Sequence, residues 1–393
     1  MQPERGIKAA ESRASCHKGD AMKKLGFGLM RLPTLKPMNP SSIDLSKVVP
    51  LVDLYLNSGF SYFDTAYYYH GEKSEAAFRA AVAERWPRER YTITDKLPIY
   101  EKPEERELLP IFNEQLHRCG VEYFDYYLLH NVGGKNYQHA EAVHAFEFLG
   151  QRKAEGRVKH IGLSYHDNAE LLETILNRHP EIEYVQLQLN YLDWEDCAVQ
   201  SHRCYDVCKR YGKPVIVMEP IKGGSLAALP EEAEKLLKAH NPCASAASWA
   251  IRYAASLENV MIVLSGMSSM EQVADNIGYM QDFHALDAEE RAVLDQVVAL
   301  LRKTNTIGCT GCHYCTDGCP QQIPIPEIFK LYNNYMKFPK TQDHVALNYY
   351  GNVTSGRGNA ASCVGCGQCE VHCPQHLEIP KLLKDVSSEL QKL

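Results

Sequence analysis

The sequence lacks several features that define other classes of protein. No stretch comes near the ~20 consecutive apolar residues that a membrane-spanning helix needs, so no membrane association is expected. The formal net charge of -7 at pH 7 gives no sign of a basic surface for nucleic acid. Residues 1–21 are polar and have no apolar core of a secretory signal, which predicts a disordered extension and a cytoplasmic location.

The chain also has no glycine-rich dinucleotide motif after its first predicted strand. A doubly wound α/β sheet usually carries a GxGxxG turn there, whereas this chain has LGFGLMRLP. From about Lys24 onward, eight short β-branched or aromatic runs alternate with longer amphipathic stretches across roughly 250 residues. The sequence therefore predicts an α/β fold, a (β/α)8 TIM barrel over residues 22–303. The strand candidates are KKLGFGLM, SYFDTA, YTITDKL, YFDYYLLH, VKHIGLSYH, YVQLQLNYL, PVIVMEPI and NVMIVLSGM.

Cysteine, by contrast, is concentrated near the C-terminus. Eight of the fourteen cysteines stand in two copies of C-x2-C-x2-C-x3-C-P, which begin at Cys309 and Cys363. Bacterial ferredoxins carry this run, and the fourth cysteine of each copy typically ligates the other 4Fe–4S cluster. Zinc is the alternative, but its ligands usually come as separated C-x2-C arms. The predicted ligands are Cys309, Cys312, Cys315 and Cys373 for one cluster, and Cys363, Cys366, Cys369 and Cys319 for the other.

Residues 304–393 are thus predicted to form a smaller, mostly helical, ferredoxin-like domain with two 4Fe–4S clusters. The stretch between the two motifs includes IPEIFKLYNNYMKF, which has the pattern of a helix rather than of the tight turns in a minimal ferredoxin. The remaining cysteines do not suggest a disulfide framework, which would suit a short secreted chain. Because the chain is predicted to hold iron–sulfur clusters and to have no disulfide framework, a reducing compartment is expected.

Four ionisable residues lie where the predicted second, third and fourth strands end, or shortly after. They are Asp64, Tyr69, Lys96 and His130, and the C-terminal ends of strands carry the functional residues of such barrels. Any one of them alone has an ordinary structural explanation, such as a surface aromatic or a solvated lysine. Together they are suited to carbonyl reduction, because the oxygen must receive a proton when the carbon receives a hydride.

Each of the four has a predicted role in delivering that proton. A phenol has a pKa near ~10 and is a poor acid without help. We expect Tyr69 to be the acid and the ammonium of Lys96 to lower its pKa. Asp64 would keep Lys96 charged and in place. His130 would hydrogen-bond the substrate oxygen and orient it.

The order and spacing of several phrases resemble the aldo-keto reductase superfamily across residues of about 24 to 280. These phrases are FDTAYYY, TDK, DYYLLH, IGLSYH, VQLQLN and LSGMSSMEQVADN. The resemblance implies a (β/α)8 barrel that acts on CH–OH donors and carbonyl acceptors and binds NAD(P)H without a Rossmann domain. It also implies that Asp64, Tyr69, Lys96 and His130 form the family's catalytic tetrad.

The resemblance further implies where the nicotinamide end of the cofactor would lie. Ser164 stands at the family's carboxamide-binding serine, and Tyr165 follows it where many members have asparagine. Gln186 is the candidate for the partnering glutamine, with Gln188 as the alternative. Met218 stands where many members stack an aromatic ring on the nicotinamide, which predicts a looser or differently shaped pocket.

In the last β–α loop, the resemblance implies contacts with the adenosine end of the cofactor. The candidates are Gly266, Ser268, Gln272 and Asn276. Gly266 and Gln272 replace the lysine and arginine with which many NADPH-dependent members hold the 2′-phosphate, and Glu271 adds a negative charge. Because phosphate binds best to cationic, bidentate donors, NADH is slightly favoured over NADPH.

Two functions remain open from the sequence. In the first, the barrel reduces a small carbonyl, or oxidises an alcohol, with NAD(P)H alone, and the tail is a structural or docking module. In the second, a ferredoxin or flavoprotein partner passes single electrons through the clusters to the barrel. Because nicotinamide exchanges two electrons as hydride, the second needs a flavin or a radical-tolerant substrate, and the sequence has no signature of a flavin site. The four barrel residues favour the first.

Overall fold

The computed structural model describes most of the barrel region and parts of the cysteine-rich tail. The described residues are 23–36, 39–196, 199–303, 307–309, 311, 313–316, 318–337, 350–351, 353–354, 356–373 and 375–390. The extension predicted over residues 1–21 and the ligand candidate Cys312 lie outside the described residues.

Eight parallel strands close into a barrel, and each strand pairs with its neighbours in sequence order. This confirms the predicted (β/α)8 fold, and all eight strands fall on the predicted runs. The strands are β1 (Leu25–Gly28), β2 (Tyr62–Asp64), β3 (Thr92–Leu97), β4 (Phe124–Val132), β5 (Val158–Tyr165), β6 (Tyr184–Gln188), β7 (Val215–Met218) and β8 (Val260–Ser265).

The helices between and after these strands cover the outside of the barrel. Those of the barrel region are α1 (Leu45–Asn57), α2 (Ser74–Phe78), α3 (Glu105–Cys119), α4 (Gly134–Ala142), α5 (Ala145–Ala154), α6 (Ala169–Arg178), α7 (Ser201–Arg210), α8 (Glu231–His240), α9 (Ala246–Ala255), α10 (Met270–Met280) and α11 (Ala288–Lys303). Short helical turns add Leu29–Arg31, Arg79–Ala83, Arg88–Arg90, Ile99–Glu101 and Lys222–Ala227.

Large side chains fill the inside of the barrel, and glycines make room for them. Tyr62 and Tyr184 belong to an interior cluster that is separate from the core between strands and helices. A Cβ atom on Gly162 would stand 2.5 Å from Tyr184 Cζ, and one on Gly26 would stand 2.8 Å from Ile262 Cγ2. These glycines are therefore required by close packing, since an interior at native density has no space for the extra atom.

In two places, a stretch whose sequence has one continuous helical pattern forms two separate elements in the structure. Within AEAVHAFEFLGQRKAEG, α4 ends at Ala142 and α5 begins at Ala145, because His144 has a left-handed φ of 54°. The break gives α5 its own buried face, which includes Phe146 and Leu149. Within SEAAFRAAVAERW, the α-helical part ends at Phe78 and a π-helical turn follows.

The cysteine-rich tail contains a small core of its own. The tail helices that the structure describes over their full length are α12 (Ile325–Lys337), α13 (Gln368–Val371) and α14 (Ile379–Leu390), with a short turn at Ala360–Ser362. The helix predicted between the two motifs is thereby confirmed. Proline stands in the first turn of both α12 and α14, where its missing N–H costs nothing.

The tail contacts the barrel through an ion pair. Lys330 on α12 lies 2.5 Å from Asp196, in the segment that follows β6. The Asp196 side chain is 1% exposed and that of Lys330 is 29% exposed. The tail therefore packs on the barrel near the C-terminal ends of its strands. Within the described residues, no helix is long and apolar enough to cross a membrane.

Candidate functional site

The four residues predicted to act on a carbonyl come together at the C-terminal ends of neighbouring strands. Asp64 ends β2, Lys96 lies on β3, and His130 lies near the end of β4. Tyr69 follows β2 in a turn that is closed by a hydrogen bond from Tyr69 N to Ala66 O. Parallel pairing of β2 with β3, and of β3 with β4, places these strand ends side by side.

Lys96 is the central group of this site. Its Nζ donates to Asp64 Oδ1 at 2.5 Å and to Thr65 O at 2.6 Å, and it lies 3.4 Å from Tyr69 Oη. The Lys96 side chain is 0% exposed. Burial alone would lower the pKa of Lys96, but the charge and hydrogen bond of Asp64, with the charge of Tyr69, raise it overall. Lys96 is therefore an ammonium at neutral pH.

The pKa of Tyr69 differs in direction from the sequence expectation. Burial raises it above the usual value for tyrosine, and the negative charge of Asp64 adds to that. The charge of Lys96 and its hydrogen bond lower the pKa, as expected, but they do not outweigh burial. The phenol is consequently fully protonated at neutral pH, which is the form that a proton donor needs.

His130 lies beside the phenol in a neutral form. Its ring meets the ring of Tyr69 edge-on, with 6.0 Å between centroids, and that of Tyr100 at 5.1 Å. Burial and the charge of Lys96 hold the pKa of His130 well below its usual value. A neutral imidazole can donate one hydrogen bond to a substrate oxygen, but it would be a weak acid. The Nδ1 atom of His130 is buried and has no hydrogen-bond partner among the described residues.

Tyr100 is a site residue that the sequence did not indicate. It lies in the turn after β3, and its ring meets that of His130 edge-on, with 5.1 Å between centroids. Tyr68 contacts Tyr100 at 6.0 Å between ring centroids. The two rings form an aromatic wall next to the four ionisable residues. A tyrosine soon after a predicted strand was the available signal, but many surface tyrosines share it.

The residues expected at the nicotinamide end lie on the neighbouring strands. Ser164 is buried on β5, and its Oγ accepts a hydrogen bond from Asn131 N at 2.7 Å. Gln186 on β6 donates from Nε2 to Asp64 Oδ2 at 3.0 Å, so it directly contacts one of the four predicted residues. Gln188 instead donates to Asp193 at 3.3 Å. Met218 is the last residue of β7 and is half-buried.

The residues expected at the adenosine end lie between β8 and α10. Asn276 is buried and donates to Ser265 Oγ at 2.7 Å. Gln272 accepts from Ser268 N at 2.7 Å, which fixes the first turn of α10. Gly266 lies against the side chain of Arg31, whose Cβ would stand 3.3 Å from a Cβ added at Gly266.

Arg31 was not indicated by the sequence as a candidate for cofactor binding. It ends the short turn after β1, and its carbonyl accepts a hydrogen bond from Ser268 Oγ at 2.5 Å. Its guanidinium lies 3.9 Å from Glu219, in the loop after β7. The structure thus places a cation beside Gly266, which the sequence could not reveal because the two residues are far apart along the chain.

Two hollows in the tail are each lined by cysteines from both motifs. One is lined by Cys309, Cys315 and Cys373, with apolar side chains of α12 and α14. The other is lined by Cys319, Cys363, Cys366 and Cys369. The grouping is the crossed one that the sequence predicts, in which each motif contributes its fourth cysteine to the other hollow. Four thiolates are also the donor set that a 4Fe–4S cluster requires.

Comparison with known families agrees with this geometry. The sequence model of the aldo/keto reductase family matches residues 24–299, which is most of the chain. The chain belongs to the aldo/keto reductase family. A 4Fe–4S dicluster domain matches residues 308–377, so the tail of this family member is an iron–sulfur domain.

Individual relatives are distant. L-galactose dehydrogenase of Arabidopsis thaliana is 26% identical over 321 residues, which cover 76% of this chain and 96% of the relative. An aldo-keto reductase of Mycobacterium avium is 28% identical over 227 residues, or 56% of this chain and 72% of the relative.

Solved structures share the barrel fold. The holo form of an aldo-keto reductase from Bacillus halodurans has a TM-score of 0.56 and 24% identity, over 70% of this chain and 91% of that one. An aldo-keto reductase from Klebsiella pneumoniae in complex with NADPH has a TM-score of 0.55 and 18% identity, with the same coverage.

Proposed function

We propose that the barrel is an NAD(P)H-dependent reductase of an aldehyde or ketone, in which Tyr69 donates the proton. One observation carries this proposal: Lys96 Nζ bridges Asp64 Oδ1 and Tyr69 Oη, at 2.5 and 3.4 Å. Burying an ammonium is costly even when a carboxylate balances its charge, and buried ionisable groups gathered in this way are typical of functional sites. The family supports oxidoreductase chemistry of this kind.

Each residue then has a defined task. When bound, the nicotinamide would supply the hydride that reaches the carbonyl carbon. Tyr69 gives its proton to the carbonyl oxygen, and the positive charge of Lys96 stabilises the phenolate that remains. Asp64 keeps Lys96 in place through its hydrogen bond. His130, held neutral, donates to the carbonyl oxygen and orients it toward Tyr69.

The strand ends would bind the nicotinamide, and the aromatic wall of Tyr68 and Tyr100 would border the substrate. Ser164 and Gln186 would hold the carboxamide of the nicotinamide, with Met218 against its ring. Tyr100 and Tyr68 would shape the substrate side and exclude water from the carbonyl. The substrate is therefore a small carbonyl or alcohol with an apolar or planar part.

For the cofactor, NADH remains slightly favoured over NADPH. Gly266 and Gln272 offer no charge to a 2′-phosphate, and Glu271 is negative. Arg31 is a cation beside Gly266, but it is also 3.9 Å from Glu219, which offsets its charge. Ser268 and Asn276 would contact the adenosine end. Titration of both nucleotides onto the protein decides between them.

In the tail, we propose two 4Fe–4S clusters with crossed ligation. The first would use Cys309, Cys312, Cys315 and Cys373, and the second Cys363, Cys366, Cys369 and Cys319. The two cysteine-lined hollows support this assignment for the seven cysteines that the structure describes. Thiolate donors and apolar walls suit an iron–sulfur cluster.

A second candidate function is electron transfer through the tail. The observation in its favour is the ion pair between Lys330 and Asp196, which brings α12 against the rim of the barrel. Phe329, the neighbour of Lys330, lines the hollow of Cys309, Cys315 and Cys373. In this reading a ferredoxin or flavoprotein passes single electrons through the clusters, and a flavin or a radical-tolerant substrate completes the transfer.

Isotope transfer distinguishes the two functions. Anaerobically purified full-length protein is given NADH deuterated at either face of the nicotinamide C4, with 4-nitrobenzaldehyde as the probe carbonyl. Direct reduction predicts that deuterium from one of the two labelled faces appears at the carbonyl carbon of the product, by mass spectrometry. If the carbon hydrogen comes from the solvent with both labelled cofactors, hydride transfer is excluded and the electron-transfer function is favoured. A reaction driven by a reduced low-potential dye, without nicotinamide, is the companion measurement.

A further inference from the structure

A second cluster of ionisable groups lies directly behind Lys96, on the outer side of β3. It consists of Glu75 on α2, Asp95 on β3 and Cys119 at the end of α3. Ligand atoms of the three side chains lie within 4.8 Å of one another. All three residues are 0% exposed. None of them takes part in the proposed carbonyl chemistry, so their burial needs another explanation.

Asp95 holds the backbone from which Lys96 extends. Because successive side chains on a strand point to opposite faces, Lys96 points into the barrel and Asp95 points toward the helices. Asp95 Oδ1 accepts from Lys96 N at 2.8 Å, and Oδ2 accepts from Cys119 Sγ at 3.6 Å. On the other side, Gln115 Nε2 donates to Lys96 O at 3.0 Å. The peptide groups of Lys96 are thus fixed by two side chains.

The charges in this cluster do not balance if both carboxyl groups are ionised. Arg118 Nη1 lies 3.1 Å from Glu75 Oε2, but the same guanidinium also pairs with Glu72 and Glu114, so it balances at most one charge of the cluster. Asp95 makes no ion pair within the part of the chain that the structure describes. Glu75 Oε1 is buried and has no hydrogen-bond donor among the described residues. Two adjacent carboxylates in such a site cannot both carry a charge at an acceptable cost, so one proton is required.

The directions in which the surroundings move the two pKa values indicate which carboxyl group holds the proton. Burial raises the pKa of Asp95 well above its usual value, and the charge of Glu75 raises it further. Burial also raises the pKa of Glu75, but hydrogen bonds from Asp95, Arg118 and Gln115 oppose that rise. Because oxygen atoms of the two carboxyl groups lie within 4.8 Å of each other, these directions favour protonated Asp95 as donor and ionised Glu75 as acceptor.

We propose that Asp95 is a neutral carboxylic acid at neutral pH, that it donates its proton to Glu75 in a hydrogen bond, and that it serves as a positioning residue for Lys96. The need for a proton follows from the burial and closeness of the two carboxyl groups and from the unpartnered Glu75 Oε1, and the pKa directions assign that proton to Asp95. The positioning role rests on the proposed function, because it matters only if Lys96 assists the acid Tyr69.

A bound cation is the alternative occupant of the cluster. The oxygen and sulfur atoms of Glu75, Asp95 and Cys119 could ligate a divalent metal. However, the Arg118 guanidinium already binds Glu75 at 3.1 Å and would repel a second cation there. A proton between the two carboxyl groups removes the repulsion between them without adding a positive charge next to Arg118. The proton is therefore the better occupant.

The pair of Asp95 and Glu75 makes the free energy of unfolding decrease as the pH rises. The groups that face Asp95 are Glu75 on α2, Arg118 and Cys119 on α3, and Tyr127 on β4, besides Lys96 on its own strand. The pKa of Asp95 is raised in the folded protein. Its stabilising contribution is thus complete below the unfolded pKa of ~3.9 and is lost as the pH rises through the folded pKa.

Infrared spectroscopy of the full chain tests the proton directly. Asp95→Asn replaces the acid by an uncharged group of the same shape, which can still donate to Glu75. The matched control is Asp125→Asn, because Asp125 is a buried aspartate on the next strand that instead pairs with Arg88 and Lys159 at 2.6 and 2.8 Å. We expect a protonated-carboxyl band at neutral pH that Asp95→Asn loses and Asp125→Asn keeps. Absence of the band in the unmodified protein, or its survival in Asp95→Asn, overturns the proposal.

Unfolding in urea gives a second readout of the same proton. From pH 7 to pH 10, the unmodified protein and Asp125→Asn should both lose stability through ionisation of Asp95, whereas Asp95→Asn should show a smaller loss. Equal pH slopes for all three proteins would contradict the proposal. So would an extra equivalent of divalent metal that the unmodified protein retains and Asp95→Asn does not.

The positioning role needs a kinetic test with a conservative rescue. Asp95→Ala removes the hydrogen bond to Lys96 N, and we expect kcat to fall about tenfold with little change in KM, since misplacement by a fraction of an ångström weakens proton transfer. Asp95→Asn, which retains an acceptor oxygen, should recover most of that loss. If Asp95→Ala keeps its kcat, the positioning role is wrong. If the unmodified protein reduces no carbonyl at all, the proposed function fails, and the infrared result is unaffected.

Discussion

The barrel and the tail hold their functional residues in opposite ways. In the barrel, Lys96 and Asp64 stand on strands of a closed sheet, whose interior the protein's own side chains fill. In the tail, the cysteines lie mostly in loops, and Cys315 and Cys369 belong to the small core themselves. We therefore expect the barrel site to be preformed by its scaffold and the tail to depend on what its cysteines bind. Folding free energy and cofactor binding should be separable in the first region and inseparable in the second.

The ion pairs show the same contrast on a smaller scale. In the barrel, the charge of Lys96 is balanced by Asp64 within one buried site. The ion pair between the two regions, Lys330 with Asp196, instead has only its aspartate fully buried. The barrel should thus tolerate changes in the tail, while the position of the tail should be sensitive to a few contacts.

The largest effect is expected from paired cysteine substitutions in the tail. Crossed ligation predicts about eight iron atoms per chain in the intact protein. Cys309→Ala with Cys373→Ala removes two ligands of one cluster and should leave about four iron atoms. Cys309→Ala with Cys319→Ala removes one ligand of each cluster and should leave almost none. Iron analysis and electron paramagnetic resonance of anaerobically purified protein measure both.

The same two double variants can contradict the crossed assignment of cysteines to clusters. If each motif held its own cluster, Cys309→Ala with Cys319→Ala would retain about four iron atoms, and Cys309→Ala with Cys373→Ala would retain almost none. Zinc in place of iron would contradict the cluster proposal altogether. In every variant the barrel should keep its structure, as measured by NADH binding. Loss of that binding would show that the two regions do not fold independently.

A smaller effect is expected from the contact between the regions. Lys330→Ala removes a cation from Asp196, whose side chain is 1% exposed. We expect α12 to be released from the barrel at a cost of about 1–2 kcal/mol, less than for a fully buried pair because Lys330 is partly exposed. Hydrogen exchange of α12 should accelerate, while the iron content stays unchanged.

Lys381→Ala is the matched control for this contact. Lys381 pairs with Glu378 at 2.8 Å, and both side chains are about 70% exposed. Such pairs contribute little, so no measurable change in hydrogen exchange of α12 is expected. If Lys330→Ala and Lys381→Ala changed the hydrogen exchange of α12 equally, the ion pair with Asp196 would not be what holds α12 on the barrel. If dye-driven reduction occurs and falls only in Lys330→Ala, the electron-transfer function gains support.

Much of this organisation was predictable because it is encoded locally. Eight strands were identified from short apolar runs, and the cysteine spacing indicated an iron–sulfur domain, which the family match confirms. Strand ends placed Asp64, Lys96 and His130 together, because parallel neighbours end at the same rim. The tetrad assignment itself stays a prediction that the geometry supports.

The remaining features depend on contacts between distant parts of the chain. The meeting of Glu75 with Asp95 and Cys119 requires α2 and α3 to pack on β3, and no local pattern gives that packing. Arg31 reaches Gly266 only because β1 pairs with β8 and closes the barrel. The pKa of Tyr69 was expected to fall, since Lys96 is nearby in any such barrel. The extent of burial that raises it could not be known from the sequence.

The most direct test of the account is the proton donor. Tyr69→Phe removes only the hydroxyl group, and Tyr123→Phe makes the same change just before β4, at the opposite end of that strand from His130. We predict that kcat for NADH-dependent carbonyl reduction falls by about 10²–10⁴ in Tyr69→Phe, with nucleotide affinity largely unchanged, and stays near normal in Tyr123→Phe. Near-normal turnover by Tyr69→Phe would contradict the central claim that this phenol, beside Lys96, delivers the proton.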